Sequence, residues 1–174
     1  MKRIIFSLAV LLCASQVSAQ DFKDLDKSPA DIAAFPSKYN ISDKLVRITY
    51  SRPQLKGRDV ADLAPAGKVW RTGANEAAEI TFYKDAKIGG KNVKAGTYSL
   101  FTIPGEGEWA VILNNNLNQW GAYSYENAAD VLRVKAKATT SDTSLEAFSV
   151  AFDDDGNLFM GWGNVRVEVP MSYQ

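Results

Sequence analysis

The chain has 174 residues, with 20 basic and 20 acidic side chains, one Cys and no His. Without His, Ser-His-Asp and Cys-His nucleophile systems cannot be built, and His-ligated zinc, copper and haem sites are excluded with them. The chemistry left is carboxylate acid–base work, Lys- or Tyr-assisted reaction, oxygen-ligated Ca²⁺ or Mg²⁺, or binding without reaction.

Residues 1–19, MKRIIFSLAVLLCASQVSA, have the three parts of a secretory signal. Lys2 and Arg3 begin it, an apolar run from Ile4 to Leu12 follows, and small residues end it at Val17-Ser18-Ala19. Cleavage after Ala19 leaves 155 residues beginning at Gln20. The apolar run is too short for the roughly 20 residues that cross a bilayer, and no later run is longer, so no transmembrane segment is expected. A lipid anchor on Cys13 is the alternative, but Leu12 stands where a lipoprotein peptidase takes a small residue. The expected destination is the periplasm or the medium.

Cleavage removes the only Cys, so a disulfide is excluded and apolar burial must hold the domain together, for which its length suffices. Loss of Lys2 and Arg3 leaves 18 basic against 20 acidic side chains, a net charge near −2. That balance offers no electrostatic reason to expect nucleic acid or an anionic membrane as partner.

In chain order, residues 20–43 are polar and interrupted by Pro29 and Pro36. Within them SPADIAAF, residues 28–35, predicts a short helix, with Ser28 as N-cap, Pro29 at the first helical position and Asp31 in the first turn. From Lys44 onward the period is two. Strands are predicted over residues 45–51, 79–85, 96–103, 108–114, 131–138, 145–153, 157–162 and 165–169. VLRVKAKA is the clearest, with Leu132, Val134 and Ala136 on one face and Arg133, Lys135 and Lys137 on the other. Turns at Gly89-Gly90-Lys91, Pro104 to Gly107 and Asp154 to Asn157 join neighbours into hairpins. The prediction is one all-β domain over residues 44–174, a β-sandwich or flattened barrel of eight to nine mostly antiparallel strands with one or two short helices.

Two long connections fall outside the strand pattern, residues 52–77, with a short helix starting at Asp59, and residues 115–127, rich in Asn and aromatic rings. Long ordered loops in compact domains are where function concentrates. Trp70, Arg71, Thr72, Asn75 and Glu76 crowd into seven positions of the first. Arg71 either forks to an internal carboxylate or carbonyl and holds the loop, or offers that fork to a ligand anion; the internal pair is favoured. Trp70, Trp120, Tyr123 and Tyr125 lie in loops and either plug the ends of the sandwich or stack on sugar rings, whereas Trp109 and Trp162 lie in strands and are expected in the core. Glu76 and Glu79 flank a strand start, where paired carboxylates could serve hydrolysis. Asp153 to Asn157 reads as a hairpin turn, with a calcium loop as alternative, since an EF-hand would need Gly and Glu where Leu158 and Asn164 stand.

Four stretches, ITYSRPQLKGR, GKVWRTGANEAAEITF, KAGTYSLFTIPGEGEW and QWGAYSYENAADVLRV, resemble the signature blocks of a secreted bacterial family known as domain of unknown function 2911. The resemblance covers nearly the whole mature chain. It implies export from a Gram-negative bacterium of the Bacteroidota type and a single β-rich domain, and it implies no reaction, ligand or cofactor.

The expectation is a non-enzymatic binding module for a small polar ligand, glycan or protein partner, with no metal or cofactor. Its site is expected at Tyr50, Arg52, Trp70, Arg71, Asn75, Glu76, Gln119 and Trp120. The alternatives are a metal-independent hydrolase or isomerase using Glu76 or Glu79 with Arg71 as anion clamp, or a purely structural envelope protein.

Overall fold

Leu132, Val134 and Ala136 are buried and Arg133, Lys135 and Lys137 exposed, so the alternation of VLRVKAKA becomes one dry and one wet face. The same rule makes strands of most of the chain. The computed structural model describes residues 21–174, and the leader peptide predicted at residues 1–19 lies outside them. The strands are β1 (Ala30–Phe35), β2 (Val46–Ser51), β3 (Ala78–Phe82), β4 (Ala86–Ile88), β5 (Lys91–Val93), β6 (Gly96–Ile103), β7 (Glu108–Asn114), β8 (Asp130–Phe152), β9 (Leu158–Val169) and β10 (Met171–Tyr173). A four-residue helix α1 (Val60–Leu63) follows Asp59, and a 3₁₀ turn spans Asn127–Ala129.

Seven strands form one antiparallel sheet in the order β1-β2-β3-β6-β7-β8-β9, curled into a half-barrel. A second sheet, β10-β4-β5, adds Ala86, Ile88, Val93 and Met171 to the same core. The fold is all-β, as the alternation predicts. Ile48, Ile80, Leu100 and Leu113 are fully buried along the inner face. Each such side chain stabilises the fold by about 1.5–3 kcal/mol relative to exposure.

The structure corrects the chain-order reading in two places. Residues 30–35 are strand β1 and not a helix, paired residue by residue with β2 from Ala30↔Ser51 to Phe35↔Val46. Eight residues are too few to hold a helix in water, and here β2 offers an open edge. The register sets Asp31 opposite Tyr50, and the Asp31 carboxylate accepts from Arg52 Nη1 at 3.0 Å. Phe35 then stacks on Tyr173, ring centroids 5.5 Å apart. The second correction is length. The strands predicted at 131–138 and 145–153 are one 23-residue strand, bent by register shifts between Thr140 and Ser149, and those at 157–162 and 165–169 are likewise one strand.

Candidate functional site

The stretch from Trp70 to Glu76 is pinned at every level. The Trp70 amide donates to Thr102 O at 2.7 Å and the Thr102 amide donates back to Trp70 O at 2.9 Å. The buried Thr72 hydroxyl meets the Thr102 hydroxyl at 3.2 Å. Ala78 N–H donates to Arg71 O, and Gly121 N–H to Asn75 O at 2.9 Å. Thr72 and Asn75 hold φ of 52° and 59°, left-handed values that Asn tolerates better than Thr. A Cβ on Gly73 would stand 3.0 Å from Ser51 O, so the loop lies directly on the end of β2.

This clasp does not use the Arg71 guanidinium. The expected internal fork is absent: Arg71 Nε is buried without a hydrogen-bond partner, and among the described residues no carboxylate forms an ion pair with it. Main-chain bonds and the Thr72–Thr102 pair already satisfy the loop, so the side chain is left to point elsewhere.

Arg71 lines a cleft of about 490 Å³ with Asn75, Gln54, Lys27, Lys56 and Arg58, and no carboxylate lines it. Three segments meet here: the lead into β1, the connection after β2 and the Trp70–Glu76 loop. The Lys56 backbone and the Arg58 guanidinium are held by their neighbours. Lys56 takes a φ of 50° and its amide donates to Glu146 Oε1 at 2.7 Å. Arg58 donates from Nε to Leu55 O and from Nη2 to Gln54 O, both at 2.9 Å, so its guanidinium is fixed across the loop. Beside the cleft, the Ser28 amide and then the Asn75 side chain hold the Asp26 carboxyl below the usual carboxylate range.

The eight residues expected to form the site separate. Tyr50 is buried, and its hydroxyl accepts from Val150 N–H at 3.0 Å. Arg52 donates to Phe148 O, Asp31 and Ser149 Oγ, which occupies its guanidinium internally. Trp70 is a core residue, packed among Trp109, Phe148 and Trp162. Trp109 and Trp162 are buried as predicted. Arg71 and Asn75 stand together in the cationic cleft. Glu76 bridges to Trp120, which is 64% exposed. Gln119 lies beside that bridge, where its carbonyl accepts from Ala77 N–H.

Glu76 and Glu79 line a different, smaller cleft of about 120 Å³ with Thr49, Tyr50 and Ser51. Glu79 Oε1 accepts there from the Asn118 amide at 3.0 Å. The two carboxylates thus share one cleft, and Arg71 lines the other. Tyr123 is exposed, and Tyr125 packs edge-on against Phe101. Among the described residues no group of three or more Asp, Glu or Cys side chains is placed to hold a metal ion.

Lys27, Gln54, Lys56 and Arg58 are cleft residues that sequence reasoning missed. A signal was present in RPQLKGR, three cations within seven positions and no carboxylate.

Among the described residues no helix is long and apolar enough to cross a membrane. Neither the curated proteins nor the solved structures contain a match to the chain. Residues 30–171 match the family described as "Protein of unknown function (DUF2911)", and the chain belongs to that family.

Proposed function

We propose that the protein is exported to the periplasm or beyond and acts there as a non-enzymatic binding module, taking a small polar ligand into the cleft lined by Arg71 and Asn75. One observation carries this reading: Arg71 Nε is buried on the wall of a roughly 490 Å³ cleft with no partner of its own. One buried N–H left without an acceptor costs on the order of 1–3 kcal/mol, and an anion in the cleft would supply that acceptor. The volume lies within the range of about 300–1,000 Å³ common for small-molecule sites. The surrounding loop is rigid by its own hydrogen bonds, which keeps the ordering cost of binding low.

Calorimetry of residues 20–174 against small carboxylates, phosphates and neutral sugars tests this. An anionic member binds and Arg71→Gln abolishes its binding while the fold is retained. If no member binds, or if Arg71→Gln binds as the parent does, the cleft is not the site. Neutral sugars binding through exposed Trp120 and Tyr123, and lost in Trp120→Ala, would move the site to that ledge.

A further inference from the structure

Resting on the cleft reading above, we infer that the ligand is a multiply charged anion of the phosphate class, a phosphate ester or a pyrophosphate, rather than a monocarboxylate or a neutral sugar. Four cations, Lys27, Lys56, Arg58 and Arg71, line one cleft of a chain whose formal charge is zero. Such a concentration does not follow from an overall basic composition. No carboxylate lines the cleft itself. Two carboxylates beside it, Asp26 and Glu146, accept from the backbone amides of Ser28 and Lys56, and Asp26 offsets part of the charge of Lys27. A ligand with a single negative charge would pair with Arg71 and leave the field of the other three cations standing. A ligand carrying two or more charges neutralises several at once.

The donor types agree with the charge. Arg71 offers a planar fork, and such forks match carboxylate and phosphate oxygens in two parallel bonds. Lys27 and Lys56 are exposed point charges on flexible stems, suited to spreading around a tetrahedral group and not to fixing a planar one. Arg58 is braced by two carbonyls through Nε and Nη2, which leaves Nη1 for a further acceptor. Asn75 and Gln54 add amide groups on the same wall for the neutral part of an ester. At about 490 Å³ the cleft has the size of a small-molecule site, so room remains beside one phosphate for a second charged group or an organic moiety.

The test uses residues 20–174 and five probes: inorganic phosphate, pyrophosphate, glycerol 3-phosphate, acetate and glucose. Pyrophosphate and glycerol 3-phosphate should bind at least about tenfold more tightly than acetate, and glucose should not bind. Pyrophosphate affinity should fall with salt, and Lys56→Gln and Arg58→Gln should each flatten that dependence. Arg71→Gln should weaken pyrophosphate binding by about tenfold or more, and Arg71→Lys should not restore it, because the fork is lost. Vesicles containing phosphatidic acid separate the two sources of the same chemistry. Binding to vesicles assigns a lipid-borne phosphate, and binding to glycerol 3-phosphate alone assigns a free one.

If acetate or glucose binds in an Arg71-dependent way as tightly as pyrophosphate, the phosphate inference fails and the cleft reading survives. If pyrophosphate binds but Arg71→Gln leaves its affinity unchanged, both fail, since scattered surface cations then account for the binding. Melting curves of each variant without ligand guard against a folding defect, and Lys56→Gln, at an exposed side chain, provides a second variant that leaves the fold alone.

Discussion

Trp70 lies flat on Trp162, ring centroids 5.4 Å apart and planes 13° from parallel, which ties the long 52–77 connection to β9. Trp109 and Phe148 meet the same ring edge-on, at 6.2 and 5.0 Å. The loop is therefore anchored by its aromatic residue and not by Arg71. Trp70→Ala should cost about 3–5 kcal/mol, the range for emptying a large aromatic site. Trp120→Ala, at an exposed ring, should change stability by no more than about 0.5 kcal/mol. Urea denaturation of both variants checks the contrast, and a Trp70→Ala protein as stable as the parent would contradict the anchoring role.

Asp31 and Arg52 mark where the fold was illegible. Ser28, Pro29 and Asp31 satisfy every local rule for a helix start, and local rules cannot see that β2 has a free edge six residues long. The alternation elsewhere was legible because each strand carries its own inward and outward faces. The same misreading hid Lys27 as a member of the candidate site. A helix at 28–35 gives no reason to bring Lys27 beside Lys56 and Arg71, whereas the β1–β2 pairing delivers it there, with Arg52 N–H donating to Pro29 O at 3.0 Å.

The same pair supports a quantitative prediction. Their side chains are 36% and 41% exposed, so solvent screens the ion pair, and a double-mutant cycle should give a coupling below about 1 kcal/mol. Arg52→Ala should nonetheless exceed Asp31→Ala by about 1–2 kcal/mol, since it also leaves Phe148 O and Ser149 Oγ without their donor. Equal single-variant losses would show that Arg52 acts through Asp31 alone.

Tyr125 donates to Asp130, with 2.7 Å to Oδ2, and accepts from Arg133 Nη2 at 2.9 Å. Burial first, and then the bond to Asp130, push its hydroxyl up to about 12. In the unfolded chain the same group titrates near 10. The folded state therefore keeps a proton that the unfolded state releases. The contribution is fully present below pH 10 and is lost as pH rises through about 12. Urea midpoints measured from pH 8 to 12 should fall less steeply for Tyr125→Phe than for the parent. Parallel slopes would show that the phenol is not held by Asp130.

The turn at Asp153 to Asn157 closes on itself. Asp153 Oδ1 accepts from the amides of Asp155 and Asn157 at 3.1 and 2.7 Å, and Oδ2 accepts from Asn157 Nδ2 at 2.9 Å. These bonds, the Asn157 side chain first, hold the Asp153 carboxyl below its usual range. Its stabilising contribution is therefore present above the ordinary Asp value of about 3.9 and is lost as pH falls through the lower folded value. The Asp153 and Asn157 side-chain oxygens that a calcium ion would need are already engaged, so millimolar Ca²⁺ or EDTA should leave the melting temperature of the mature domain unchanged. A substantial rise with Ca²⁺ would overturn the hairpin reading.

Gly156, in the same turn, has a φ of 86°, and a Cβ there would stand 2.7 Å from the Tyr173 ring and 2.8 Å from the Phe35 ring. Those two rings stack on each other, and Tyr173 donates its hydroxyl to Gly156 O at 2.9 Å. A side chain at this position must therefore strain the backbone and separate the contact by which β1 and β10 meet over the turn. Gly156→Ala should cost about 2–4 kcal/mol, combining a left-handed residue with an overpacked site. Tyr173→Leu in the same background removes part of the clash, so the double variant should recover part of the loss in denaturant melts. If the two losses instead add in full, the contact between Gly156 and Tyr173 is not what makes glycine necessary there.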